Sequence, residues 1–424
     1  MKFIYKLLSL SLAIACLSGC SAANTEIASS SAATATVTPT TDSTEVPASN
    51  NVFTSAGDGL YVTTDSGIYE LQTVFPDSAN IFYTDANTKE RIFLCANPNC
   101  THADESCPSY IATPSAMFPP MLLRVGDQLL VVFTEATDSS NPHGMLMNMD
   151  GSNRRTVFEL ASNQYMQGGF CTSGNDLYFD LYEIDDSGNV TYQLWYVSFE
   201  NGTSEKVMDL GSDSDHYSLC DGVNNELCFN HLSSDGISYC MYNPQSKTIS
   251  DPFFVDSSVS GNSMIQDGYL FVLDEQASSV QRIRLSDKEQ ASASFTVKEG
   301  FGAPSMRYLF DGKLMITEAQ TTASDIPTDG SYGVCSYILD FGTRNCTEFT
   351  LQTPYNNRPV YVLTTIGDTC YVATDYKTYT PTSVSEDGTV SNFDYVANIY
   401  AFITKQDYIN SNQNGYSMVK DAFE

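Results

Sequence analysis

The chain has 424 residues, with 51 Asp plus Glu against 20 Lys plus Arg and a formal net charge of −31. Phosphate binding needs clustered cations, so this balance excludes nucleic acid and argues against anionic lipid as a partner. Beyond the first 20 residues no run of about eighteen apolar residues occurs, which excludes a later helical membrane span.

The first segment, Met1-Lys2-Phe3-Ile4-Tyr5-Lys6, is a short cationic head, followed by an apolar run from Leu7 to Leu17. An apolar core of that length is a secretory signal and is too short to cross a bilayer as a helix. It ends in Leu17-Ser18-Gly19-Cys20, which resembles the lipobox of bacterial lipoproteins. On that pattern residues 1–19 are cut away. The Cys20 thiol takes a diacylglyceryl group, and two acyl chains suffice to hold a protein stably on a membrane. The expected location is the outer face of the cytoplasmic membrane, facing the exterior. An ordinary signal peptide with an incidental cysteine is the alternative.

Residues 20–50 form the expected tether. From Ser21 to Asn50 the chain is almost entirely Ala, Ser, Thr, Val, Pro and Glu, which cannot bury enough apolar surface to offset chain entropy. Thirty flexible residues have a root-mean-square reach of about 30 Å and a stretched length of about 100 Å.

From 51 to 424 no second low-complexity break occurs, and the sequence reads as all-β. Tyr and Phe are abundant, β-branched runs are short and alternating, and turn dipeptides recur. One element repeats: a Gly, Asp or Asn turn, then an apolar strand that mostly opens with Leu. With Leu60, Leu129, Leu177, Leu227, Leu270, Leu314 and Cys370 as anchors, the intervals run from 43 to 69 residues. Most are near the 40 to 50 of a four-stranded blade. Units of this kind cannot bury both faces alone, so neighbours must stack and the ring must close. The expected fold is a β-propeller of about seven blades. Six or eight remain open, with the last blade borrowing a strand from 51–54, and a pair of β-sandwiches is the rival.

An insertion at about 91–110 carries Cys95, Cys100, His102 and Cys107, spaced C-x4-C-x-H-x4-C. Three thiolates and an imidazole suit tetrahedral zinc, and Pro98 with Asn97 and Asn99 supplies the fold-back. Four protein donors leave no open position, so such a zinc ion is structural. A disulfide among Cys95, Cys100 and Cys107 is the competing reading, favoured in exported proteins; neither is the third. Cys228 with Cys240, and Cys335 with Cys346, flank turns symmetrically and could form cross-strand disulfides; the preferred reading is that they are small buried core residues. Cys171, Cys220 and Cys370 have no evident partners.

Catalytic motifs are missing: no G-x-S-x-G elbow, no H-E-x-x-H, no Walker loop and no dinucleotide fingerprint. His143 and His216 read as residues of solvated loops, and His231 as lying at a strand end. Asp185-Asp186-Ser187-Gly188-Asn189 offers oxygen ligands for calcium, yet it is first a turn sequence.

The lipobox, the Ser/Thr-rich tether, the Leu-Tyr-Val blade strands and the C-x4-C-x-H-x4-C cluster together resemble propeller lipoproteins of Gram-positive anaerobes. That resemblance implies a seven- or eight-bladed fold at the cell surface and no particular activity. Three functions follow as expectations. The first is a non-catalytic binding or scaffold module that presents loops to a glycan, peptide or surface protein. The second is a propeller-fold carbohydrate-active enzyme with pore-lining carboxylates. The third is an envelope sensor or assembly factor.

Overall fold

Short runs such as Gln128–Phe133 become strands because they are apolar at successive positions, and in a stacked sheet both faces must be buried. Leu129 and Val131 point one way, Leu130 and Val132 the other, and all four are fully buried. A computed structural model describes residues 53–422, except 56–58, 76–77, 114–117, 257–261, 321–332, 380–381, 385–389 and 393–394. The expected signal peptide, Cys20 and the tether lie outside the described residues.

Among the described residues the strands fall into seven successive antiparallel groups, mostly of four, spanning 61–112, 121–159, 164–212, 215–256, 263–294, 301–349 and 362–418. The third and fourth are joined into one sheet, because Gly211 and Ser212 pair with His216 and Asp215. One short α-helix, Lys405–Ile409, follows the third strand of the last group, and its Tyr408 is buried between the last two groups.

The core is divided between the groups. One apolar cluster lies between each consecutive pair, from Leu71, Ile81, Leu129 and Val131 between the first and second to Met315, Ile338, Cys370 and Val372 between the sixth and seventh. A further cluster joins Tyr371, Tyr400 and Phe402 of the seventh group to Ile68 of the first, and so closes the circuit. The architecture is a β-propeller.

Six of the seven expected anchors fall at the second residue of the second strand in their group, and all six are fully buried. Leu60 does not. It precedes the first strand and is 43 % exposed, and the equivalent position is Ile68, at 1 %. The expected loan of an N-terminal strand to the last group is also corrected. Thr54–Ser55 pairs with Thr172 and Cys171 in the third group, while the last group is completed by Ser417–Met418.

The circuit is pinned where it closes. Arg91, 1 % exposed, donates from Nε and Nη2 to Glu70 Oε2 at 3.1 and 3.0 Å, and from Nη1 to Asp421 Oδ1 at 3.1 Å. Its guanidinium lies 3.7 Å from the Phe82 ring centroid. The Tyr400 hydroxyl donates to Glu70 Oε1 at 2.5 Å. The backbone joins in, with Arg91 N donating to Lys420 O and Lys420 N to Lys89 O.

Candidate metal centre

The Cys/His insertion is an excursion from the outer edge of the first group. Arg91–Phe93 and Tyr110–Ala112 both pair with Ser78–Asp85, one after the other along the same strand. The loop leaves and returns at a single residue, since Leu94 N donates to Ile81 O and Ile81 N donates to Ser109 O. Its ends are therefore held by the sheet, and what remains is to order its interior.

Cys95, Cys100, His102 and Cys107 do this as a cluster whose donor atoms all lie within 4.8 Å of one another. A tetrahedral zinc with 2.3 Å bonds to sulfur separates its sulfur donors by about 3.8 Å, so only small movements bring the four onto one ion. The three cysteines are free thiols. His102 Nδ1 lies 3.2 Å from Cys107 Sγ, and the imidazole stacks on Phe93 with centroids 4.0 Å apart. The backbone at His102 is left-handed, with φ 56°, a conformation that turns the chain sharply between Cys100 and Cys107. Burial pushes the Cys95 thiol up to about 11. For Cys107 burial acts in the same direction, but hydrogen bonds from Ser109 and His102 outweigh it and bring the thiol down to about 6. The four residues could hold a metal ion, and the donor set of three soft sulfurs and one nitrogen suits zinc-like metals over calcium or magnesium.

The residues that orient this cluster were not anticipated. Asn80, 1 % exposed, donates from Nδ2 to His102 O at 3.1 Å and to Ser109 Oγ at 3.0 Å. Ser109 Oγ in turn lies 3.1 Å from Cys107 Sγ. An Asn inside the apolar strand Ala79-Asn80-Ile81-Phe82 was the available signal, because a buried amide demands partners. Arg154, from the second group, clamps the loop's return by donating to Tyr110 O at 2.7 Å and to Pro108 O.

The disulfide readings for the remaining pairs fail on register. Cys228 stands opposite Met241 and Cys240 opposite Phe229. One residue of offset places the two thiols on opposite faces, each in a different core cluster. Cys346 stands opposite Leu339, four residues along the strand from Cys335, a separation of about 13 Å that no disulfide spans. All four are free; Cys228, Cys240 and Cys335 are buried, and Cys346 is partly so.

The histidines expected in loops lie at strand starts. His143 stacks on Phe133, and His216 stacks on Tyr192 with centroids 3.7 Å apart. His231 Nε2 meets Asp215 Oδ1 at 2.6 Å. Asp185 spends its oxygens on Ser187 N, Asn189 N and Asn189 Nδ2, as a turn residue does. Two buried acids are also engaged by backbone. Asp180 Oδ2 accepts from Leu219 N of the fourth group at 3.1 Å, and Asp221 accepts from Gly222 N and from Gly268 N of the fifth.

These features define a β-propeller with a cysteine/histidine loop whose four donors could hold a metal ion. No family model and no curated protein matches the chain. Among solved structures, it is similar to an oligogalacturonate lyase in complex with manganese, at 11% identity over 72% of this chain and 80% of that one, TM-score 0.41. An oligogalacturonate lyase from Vibrio parahaemolyticus matches at 10% identity over 82% and 91%, TM-score 0.40. The β-propeller domain of the Trilobed protease from Pyrococcus furiosus matches at 12% identity over 72% and 99%, TM-score 0.36.

Proposed function

We propose that the chain is a surface-anchored binding or scaffold lipoprotein. In this reading Cys20 carries the lipid, residues 20–50 are the tether, and the propeller of 51–424 displays its loops to a glycan, peptide or surface protein outside the cell, with a structural zinc at Cys95, Cys100, His102 and Cys107. The observation that carries it is the way the most chemically distinctive residues are used. The four metal donors belong to one loop whose ends are fixed at Ile81, and four protein donors fill a tetrahedral shell. The buried acids Asp180 and Asp221 accept backbone amides from neighbouring groups, which favours holding the ring together over acid–base chemistry. Tethering by a lipid rests on Leu17-Ser18-Gly19-Cys20.

The test uses the full chain, purified anaerobically, on a glycan and peptide array with zinc measured by elemental analysis. Retention of an arrayed ligand without its conversion, and one zinc per chain lost in His102→Ala, is the expected outcome. Release of cleaved glycan would replace this reading with the carbohydrate-active one. Metal-free protein with a disulfide mapped among Cys95, Cys100 and Cys107 would overturn the zinc assignment.

A further inference from the structure

Phe53–Ser55 pairs with a different group from the one that the next described strand begins. The next described strand, Tyr61–Thr63, begins the first group, whereas Thr54 and Ser55 pair antiparallel with Thr172 and Cys171 on the free edge of the third. Phe53 N donates to Asn224 O of the fourth group at 2.6 Å. The Phe53 side chain, 7 % exposed, enters the cluster between the third and fourth groups, where its ring meets Tyr178 edge-on at 5.3 Å. Gly222 makes the room. A Cβ there would stand 2.5 Å from the Cβ of Phe53, so only glycine admits the strand.

These contacts are the parts of a β-addition site: a sheet edge that supplies main-chain hydrogen bonds, and a side-chain pocket that selects what binds. We infer that the seat formed by Thr172, Cys171, Tyr178, Gly222 and Asn224 is a receptor for an extended peptide that carries a phenylalanine, and that the chain's own 53–55 fills it in cis. The inference deepens the binding function proposed above by naming its partner class. A strand of three residues binds weakly on its own and holds its place through the effective concentration of a linked segment, on the order of mM. A longer partner strand with the same phenylalanine makes more main-chain bonds and displaces it. The net charge of −31 favours partners whose flanks are neutral or basic.

The experiment compares the full chain with a variant that lacks only Phe53, Thr54 and Ser55. The probe is a fluorescein-labelled pentapeptide with the sequence of residues 51–55, followed by anisotropy. The deletion variant should bind it saturably and at least about tenfold more tightly than the intact chain, a difference of about 1.4 kcal/mol. A probe carrying Phe53→Ala should lose that binding, and so should Gly222→Val in the deletion variant. No saturable binding by the deletion variant with its β circular dichroism intact, or binding indifferent to the phenylalanine, would sink the proposal. Should the deletion prevent folding, Gly222→Ala in the full chain replaces it. There the amides of 53–55 should exchange rapidly with solvent, and continued protection overturns the assignment. An array on which the chain retains nothing, with the peptide still bound by the deletion variant, would refute the surface-binding reading and leave the seat standing.

Discussion

Two interfaces of the ring each bury a carboxylate, and they solve the problem differently. Between the seventh and first groups, Glu70 is held by Arg91 and Tyr400, so both of its oxygens are satisfied by strong donors. Burial alone would lower the Arg91 pKa, and Glu70, with Tyr400, Tyr371 and Asp421 behind it, raises it instead. Between the third and fourth groups, Asp180 is 1 % exposed and has no cation. Oδ2 takes the Leu219 amide, and Oδ1 makes no hydrogen bond of ordinary geometry. Burial pushes its carboxyl up to about 7, with the Leu219 and Gly169 amides only moderating the rise. The closing interface is therefore tied by charge, whereas the third and fourth groups, already one hydrogen-bonded sheet, tolerate an acid that stays largely protonated below neutrality. A buried ion needs its counter-ion in place, while a buried neutral acid needs only packing and one donor.

The most severe way to break this contrast is Arg91→Met. It leaves Glu70 buried and uncompensated, and loss of one partner of a buried pair costs about 3–5 kcal/mol. Urea unfolding should show the midpoint falling accordingly. The double variant Arg91→Met with Glu70→Gln should recover a large part, since no orphan charge remains. A single variant within about 0.5 kcal/mol of the parent, the range of ordinary surface changes, would mean that the Arg91–Glu70 pair does not support the closing interface.

Asp180→Asn probes the other side through pH. An unfolded aspartate titrates near 3.9, and the folded one near 7. The folded state therefore binds the proton more tightly, and the stability it contributes is full below about pH 4, declines as pH rises, and is gone above about 7. Three pH units correspond to roughly 4 kcal/mol, an upper order of magnitude. Asp180→Asn should match the parent near pH 4 and exceed its stability at pH 8. Equal stability of the two proteins at pH 8 would place an unrecognised donor on Oδ1.

The sequence disclosed much of the fold, and the part it concealed has a physical reason. Leu129, Leu177, Leu227, Leu270, Leu314 and Cys370 occupy one structural position because a turn followed by a doubly buried strand leaves a local pattern. Leu60 misleads because two turn-like sequences stand in succession, Gly57-Asp58-Gly59 and Asp65-Ser66-Gly67, and only pairing decides which precedes the second strand. The preferred reading of the paired cysteines as core residues agrees with their burial. The disulfide alternative stays open in the sequence because counting residues to a turn gives neither register nor parity, and at Cys228 and Cys240 an offset of one moves a side chain to the other face. The donors Cys95, Cys100, His102 and Cys107 were legible because they are local. Arg91 with Asp421, 330 residues apart, left no local trace.

That long-range contact also gives the smallest and most discriminating test. Asp421 is bound to the same guanidinium as Glu70, at 3.1 Å, but its side chain is 15 % exposed where that of Glu70 is 6 % exposed. Water can reach the carboxylate when the pair opens, and removing its charge leaves Arg91 still facing Glu70 and the side-chain amide oxygen of Gln72. Asp421→Asn should therefore cost only about 1 kcal/mol, in the range of a single hydrogen bond or a well-placed ion pair near the surface. The loss should also be local. Hydrogen exchange should quicken at the amides of Arg91 and Lys420, which bridge the first group and the C-terminal segment, while Leu219, at the third and fourth groups, keeps its protection. A loss as large as that of Arg91→Met would reverse the assignment, making the Asp421 side chain the counter-ion on which closure depends and Glu70 an acid held mainly by Tyr400.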